Sequence, residues 1–151
     1  MARKYNPDDY HRQSFVLVRW IERLRVRAIL QELDPKESDI ILEIGCGAGN
    51  VLAYLSAGRA VGLDLSNDLL KTAKSKNYRV PRELIQAFGE SVPLCDESVD
   101  KVICSEVLEH VRRPEDICSE ASRVLKADGR FVFSVPNENL INSLKGAMRR
   151  C

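Results

Sequence analysis

The sequence predicts an α/β fold: a parallel sheet of about five strands with helices on both faces. Short apolar runs at about 40–44, 60–64, 99–104 and 130–135 alternate with helix-like segments, the order that builds right-handed β-α-β crossovers. In the first, Ile40-Ile41-Leu42 and Ile44 supply the apolar run that a strand buried on both faces requires. It opens into Gly45-Cys46-Gly47-Ala48-Gly49, and an acidic residue ends the second run at Asp64. Ligands of such sheets bind beyond the carboxyl ends of the strands, where the strand order reverses.

In order, a helix is expected from about His11 to Leu33, with apolar Leu17, Trp20, Ile21, Leu24 and Ala28 spaced by three and four. The polar break Asp34-Pro35-Lys36-Glu37-Ser38-Asp39 ends it. Strand Ile40 to Ile44 precedes a helix at about Asn50 to Ser56, and strand Ala60 to Asp64 precedes a helix at Asn67 to Lys76 that Ser66 can cap. A weak third strand runs from Glu83 to Phe88, and a fourth from Val99 to Cys104 leads into a short helical segment at Glu106 to Val111. Pro114 starts a helix that reaches about Leu125, with Gly129 beyond its end. Arg130 to Val135 is the fifth strand, and Asn139 to Arg149 a final helix.

Composition narrows the function. The 151 residues suit one domain, divided into an N-terminal helical cap (1–37), a cofactor-binding core (38–136) and a terminal helix (137–151). A net charge of +1 gives no global argument for nucleic acid. No apolar stretch approaches the roughly 18 residues that span a bilayer, and the N-terminus lacks the apolar core of a signal peptide. The five cysteines form no Cys-x-x-Cys pair, so reduced thiols in the cytoplasm are expected and a metal site is not.

The glycine loop is the site-defining feature. A dinucleotide fingerprint needs glycines at the first, third and sixth positions. Counted from Gly45, the third is Gly47 but the sixth is Asn50, which disfavours a nicotinamide-dependent reductase. The pattern is Glu43-x-Gly45-x-Gly47-x-Gly49, and it resembles motif I of the class I S-adenosylmethionine-dependent methyltransferases. Gly89-Glu90-Ser91-Val92-Pro93-Leu94, Ser105-Glu106-Val107-Leu108-Glu109-His110-Val111 and Glu120 to Arg130 resemble further blocks of the type 11 branch of that family. Quinone-biosynthesis methyltransferases are the nearest by pattern.

The resemblance implies a Rossmann-like fold, S-adenosylmethionine as methyl donor, and a small-molecule or lipid-like acceptor. Asp64, 19 residues beyond Gly45, is placed to accept both ribose hydroxyls, or else caps a turn. Leu65 covers one face of the adenine or belongs to the core. Glu43 receives the cofactor's ammonium, holds its own loop, or does both, with the backbone of Gly45 and Cys46 as further acceptors. Gly89, Glu90 and Ser105 complete the expected cofactor set. Typical members carry an acid two positions before the glutamate of the Gly89-Glu90 block, available to the adenine amino group. Here Phe88 stands there, which reads as the last core residue of its strand.

Methyl transfer asks mainly for alignment of nucleophile, carbon and sulfur. Glu106 and His110, four apart and so on one face of a helix, are the candidate acid–base groups, although a lone histidine also serves as a structural residue. Trp20 and Tyr10 are expected in the core. Arg12, Arg19, Arg23, Arg25 and Arg27 read as a solvated basic face, or as a contact for an anionic acceptor or a membrane surface. The family's sheet has seven strands and this chain has room for five. The edge of the fifth would then be covered by the last helix, a second copy or a partner subunit. A non-catalytic cofactor-binding module acting with a partner is therefore the rival function, and a truncated chain, a minimal domain and a partner-dependent domain are all open.

Overall fold

The structure, a computed structural model, describes residues 7–135, with side chains from residue 19 onward. The elements are α1 (Pro7–Leu33), β1 (Ile40–Ile44), β2 (Arg59–Asp64), α2 (Asn67–Lys74), β3 (Arg82–Gln86), β4 (Val99–Ser105), α3 (Pro114–Val124) and β5 (Leu125–Ser134), with 3-10 turns at Leu52–Tyr54 and Leu108–His110. The sheet order is β3-β2-β1-β4-β5, and every neighbouring pair is parallel. This is the expected Rossmann-like architecture, and its order reverses between β1 and β4.

The apolar strands fill two cores, because successive side chains point to opposite faces. On one face Ile41 and Ile103 meet Val26, Ile29 and Leu33 of α1, Leu70 of α2, and the Leu52 turn. On the other, Leu42, Ile44, Val102 and Cys104 meet Ile117, Ala121 and Val124 of α3. Helices thus cover both faces. The α2 N-cap is Ser66, whose hydroxyl accepts the Leu69 N–H at 3.3 Å, as its position predicts.

Four expectations change. In α1 the buried stripe is Val26, Ile29 and Leu33, whereas Trp20, Ile21, Leu24 and Ala28 are exposed. Residues two apart lie about 200° round a helix, so α1 carries apolar residues on opposite sides and the sheet selects one. Trp20, at 57% exposure, is no core residue. The helix expected at 50–56 is only the 3-10 turn Leu52–Tyr54. The glycine loop leaves too few residues before β2 for a helix to nucleate, and buried Val51, Leu52 and Leu55 pin the short link instead.

The segment after β4 is likewise a 3-10 turn, Leu108–His110, and it does not reach back to Glu106. Finally, β5 begins at Leu125. Val99 pairs with Leu125 but Lys101 with Arg130, so β5 bulges by three residues between them. Gly129 lies in that bulge rather than beyond a helix, where a Cβ would meet the Asp100 carbonyl at 2.9 Å.

Polar groups lock the strand starts. Asp100 accepts the Ile40 N–H at 2.8 Å and the Lys126 ammonium at 2.7 Å. Arg123 donates to the carbonyls of Val92 and Leu94 and to Glu120 and Asp96, clamping the loop after β3 onto α3. Among the described residues no strand pairs with the outer edge of β5, and no helix is long and apolar enough to cross a membrane. The final helix at 139–149 and the side chain of Tyr10 lie outside the described residues.

Candidate cofactor and active site

Because all five strands run the same way, their carboxyl ends assemble the candidate residues at one rim. Glu43 and the glycine loop come from β1, Asp64 and Leu65 from β2, Gly89 and Glu90 from beyond β3, and Ser105 and Glu106 from β4. The reversal between β1 and β4 opens the crevice in their midst.

The loop leaves β1 through Gly45 at φ 72°, and the N–H groups of Gly45 and Cys46 both donate to the Leu63 carbonyl, at 2.7 and 2.9 Å. The glycines differ in purpose. A Cβ on Gly45 would sit 2.3 Å from Val107 Cγ2, and one on Gly49 would sit 2.2 Å from the Tyr78 hydroxyl. Gly47, at φ 52°, has nothing nearer than Leu69 Cδ1 at 4.0 Å, so its backbone is the part of the loop open to a ligand. Gly45→Ala should cost about 2–4 kcal/mol in urea unfolding, from left-handed strain plus overlap with a stiff β-branched side chain. Adding Val107→Ala should recover part of that loss.

Asp64 organises the loop. Its Oδ2 accepts the Gly47 N–H at 2.7 Å and its Oδ1 the Ser66 N–H at 2.8 Å. Each oxygen keeps a lone pair for a further donor, so holding the loop and receiving ribose hydroxyls are compatible. Cys46 is buried between the glycines. Burial, with the charges of Glu43 and Asp64, pushes its thiol up to about 12, which keeps it protonated and inert.

Glu43 is 2% exposed, its carboxylate meets the Leu52 N–H, and its Oε2 has no partner among the described residues. Burial dominates its titration and pushes it up to about 8, against the lowering pull of the Leu52 N–H and Arg25.

Arg25 is the residue that sequence reasoning passed over by grouping it with the solvated arginines. It turns inward from α1, pairs with Glu22 at 2.6 Å and with Glu106 across the rim, and its Nε is buried without a partner among the described residues. Burial opposes its charge, but the hydrogen bond to Glu106 and the charge of Glu22 more than offset this and raise its pKa. No signal in a single sequence separates Arg25 from Arg23 and Arg27. The distinction arises because Arg25 adjoins Val26 on the side that meets the sheet.

Glu106 sits at φ 54°, and its N–H donates to the Ser134 carbonyl at 2.9 Å. A left-handed non-glycine residue held at a strand end marks a constrained site. Ser105 Oγ lies 3.0 Å from Ser134 Oγ. His110 is brought to neither. Its side chain is 76% exposed beside Glu109 at 3.8 Å, since the turn breaks the i, i+4 relation that would set it over Glu106. Leu65 and Phe88 are 55% and 60% exposed, so neither is core, contrary to one reading of Leu65 and to that of Phe88. The parallel sheet carries both past its rim. Glu90 is exposed beyond them.

These residues fit S-adenosylmethionine. The two buried side-chain atoms without partners among the described residues are a donor, Arg25 Nε, and an acceptor, Glu43 Oε2. A zwitterionic amino-acid group offers the carboxylate and ammonium that would satisfy both. The open backbone of Gly47 and the spare lone pair on each Asp64 oxygen suit the hydroxyls of a nucleoside.

Comparison with known proteins agrees. A family model described as a methyltransferase domain, of type 11, matches residues 42–133. The chain is 34% identical over 125 residues to the ubiquinone biosynthesis O-methyltransferase of Hydrogenovibrio crunogenus, covering 79% of this chain and 51% of that protein. It superposes on an S-adenosylmethionine-dependent methyltransferase from Mesorhizobium loti with TM-score 0.63 and 26% identity, covering 74% of this chain and 51% of the other. The same TM-score, 0.63, and 26% identity relate it to a chain from the complex of the Haloferax volcanii Trm112 methyltransferase activator with a methyltransferase, covering 72% and 50%. The chain spans 33% to 60% of the length of the curated relatives it matches. With well over half of the chain matched to the family and the same fold shared with solved members, it belongs to the class I S-adenosylmethionine-dependent methyltransferases.

Proposed function

We propose that the chain transfers a methyl group from S-adenosylmethionine to a small-molecule or lipid-like acceptor, by positioning more than by acid–base chemistry. The observation that carries this is the two buried atoms without partners among the described residues, Arg25 Nε and Oε2 of Glu43 on the strand that opens into the Gly47 loop. When bound, the cofactor supplies an activated methyl on sulfur. Glu43 and Arg25 hold its amino-acid end, the Gly45–Gly47 backbone shapes the turn, and Asp64 takes the ribose hydroxyls. Leu65, Gly89 and Glu90 border the base. Ser105 and Glu106 stand at the acceptor side of the switch point.

Glu106, positioned by its ion pair with Arg25, orients an acceptor hydroxyl by accepting its hydrogen bond and receives the proton where the acceptor must lose one. His110 is too exposed for that work and is the weaker candidate. A lipid-like acceptor is supported by α1. Exposed Trp20, Leu24 and Tyr54 line a groove of about 690 Å³ with Arg23 and Arg27, a composition suited to an anionic interface.

A calorimetric titration with S-adenosylhomocysteine, followed by transfer of labelled methyl to a panel of quinols, catechols and lipids, tests the reading. Binding and turnover are expected, and failure of the folded chain to bind would overturn it. The second reading, a cofactor-binding module that works only with a partner, is favoured by the outer edge of β5, with which no strand pairs among the described residues, and by the Haloferax volcanii neighbour, which is seen with an activator. Binding without turnover supports that reading, and robust turnover by the isolated chain ends it.

A further inference from the structure

Phe88 departs from the family pattern at the one position where an acid is expected beside the adenine, and the structure leaves it 60% exposed. Its setting is specific. Asp64 pairs with Gln86 in the β2–β3 register, the Ala87 N–H donates to the Asp64 carbonyl at 3.2 Å, and the Gln86 amide donates to the Leu65 carbonyl at 3.0 Å. These bonds hold the chain on either side of Leu65 and Phe88 together just beyond the ribose-binding acid. Leu69, also exposed, reaches to 4.0 Å from the open face of Gly47. Leu65, Leu69 and Phe88 thus stand in solvent on the segments that follow β2 and β3, and exposed apolar surface at a strand-end rim is the kind that lines ligand-binding grooves.

Carboxylates are scarce there. Asp64 is engaged by Gly47 and Ser66, and Asp68 pairs with Lys71 at 2.8 Å on α2. On the loop after β3, Glu90 is the carboxylate nearest Phe88 in the chain and the one placed to accept from an exocyclic amino group.

We propose that Phe88, with Leu65, is the stacking platform for the adenine. This chain then recognises the base by its faces and leaves the N6 amino group unread. The inference rests on the cofactor reading above. Stacking on a side chain is tolerant of what the base edge carries. A bare purine should therefore bind as well as adenine, whereas a carboxylate at position 88 would demand the amino group.

The test measures dissociation constants of S-adenosylhomocysteine and of its analogue lacking the 6-amino group, by calorimetry, for wild type and variants. Wild type is expected to bind the two within about threefold. Phe88→Ala should weaken both together, by roughly 5- to 100-fold. Phe88→Trp should restore affinity and show indole emission quenched on binding beyond any change in wild type. Phe88→Asp should create a preference of about tenfold or more for the amino-bearing ligand. Wild-type discrimination of tenfold or more, removed by Glu90→Gln, would overturn the proposal by assigning the amino group to Glu90. Unchanged affinity in Phe88→Ala would overturn it as well. Failure of wild type to bind either ligand would instead sink the cofactor reading, so the two outcomes are distinguishable.

Discussion

Asp64→Ala is expected to weaken S-adenosylhomocysteine binding by about 100-fold or more and to destabilise the ligand-free protein by about 1–3 kcal/mol. Both effects come from one carboxylate. Its oxygens accept the Gly47 and Ser66 N–H groups, so alanine leaves two donors unpaired at the turn that carries the open glycine. It also removes both acceptors for the ribose. Asp64→Asn should rescue little, because its NH₂ would face one of those N–H donors. Calorimetry and urea unfolding read the two effects separately. A dissociation constant within threefold of wild type would remove Asp64 from the ribose site and leave it only the turn.

The second large effect is on protons. Glu43, pushed up to about 8 by burial, is mostly protonated at neutral pH in the free protein. A ligand ammonium placed at Oε2 supplies the charge partner that burial withholds, so Glu43 ionises on binding. Titration with S-adenosylhomocysteine at pH 7, in buffers of different ionisation enthalpy, should show release of close to one proton. Affinity should rise by up to about tenfold per pH unit toward 8. Glu43→Gln should abolish the proton release. An equal release from that variant would place the titrating group elsewhere.

The same shift has a consequence for the free protein. Its folded pKa, about 8, lies above the ordinary 4.5, so the folded state holds the extra proton between those values. Stability therefore falls as pH rises through that window. Glu43→Gln should flatten the fall in thermal unfolding measured from pH 5 to pH 8.

Much of this molecule is local in origin and so can be read along the chain. Strands such as Ile40–Ile44 are apolar at every position but Glu43 because both faces are covered, and so apolar a run says so without any partner in view. Gly45, Gly47 and Asp64 are fixed by backbone conformation and by the short span from strand to strand. The bulge in β5 was not legible, because Lys126 to Gly129 reads as an ordinary polar loop and only pairing with β4 extends the strand across it. The stripe of α1 was misread for a related reason: its two apolar sides are equal in periodicity, and only contact with β4 and β5 separates them.

The amino-acid sequence by itself determined the alternation of strands and helices, the cofactor class and the residues of the glycine loop, since each depends on neighbours within a few positions. Tertiary structure decided which side chains the rim brings together. It turned Arg25 inward to Glu106, left one acceptor on Glu43 and one donor on Arg25 without partners among the described residues, carried His110 away and set Phe88 and Leu65 in solvent. Those outcomes join residues tens of positions apart, and the exposure of each depends on what the sheet and helices leave uncovered, which no local pattern records.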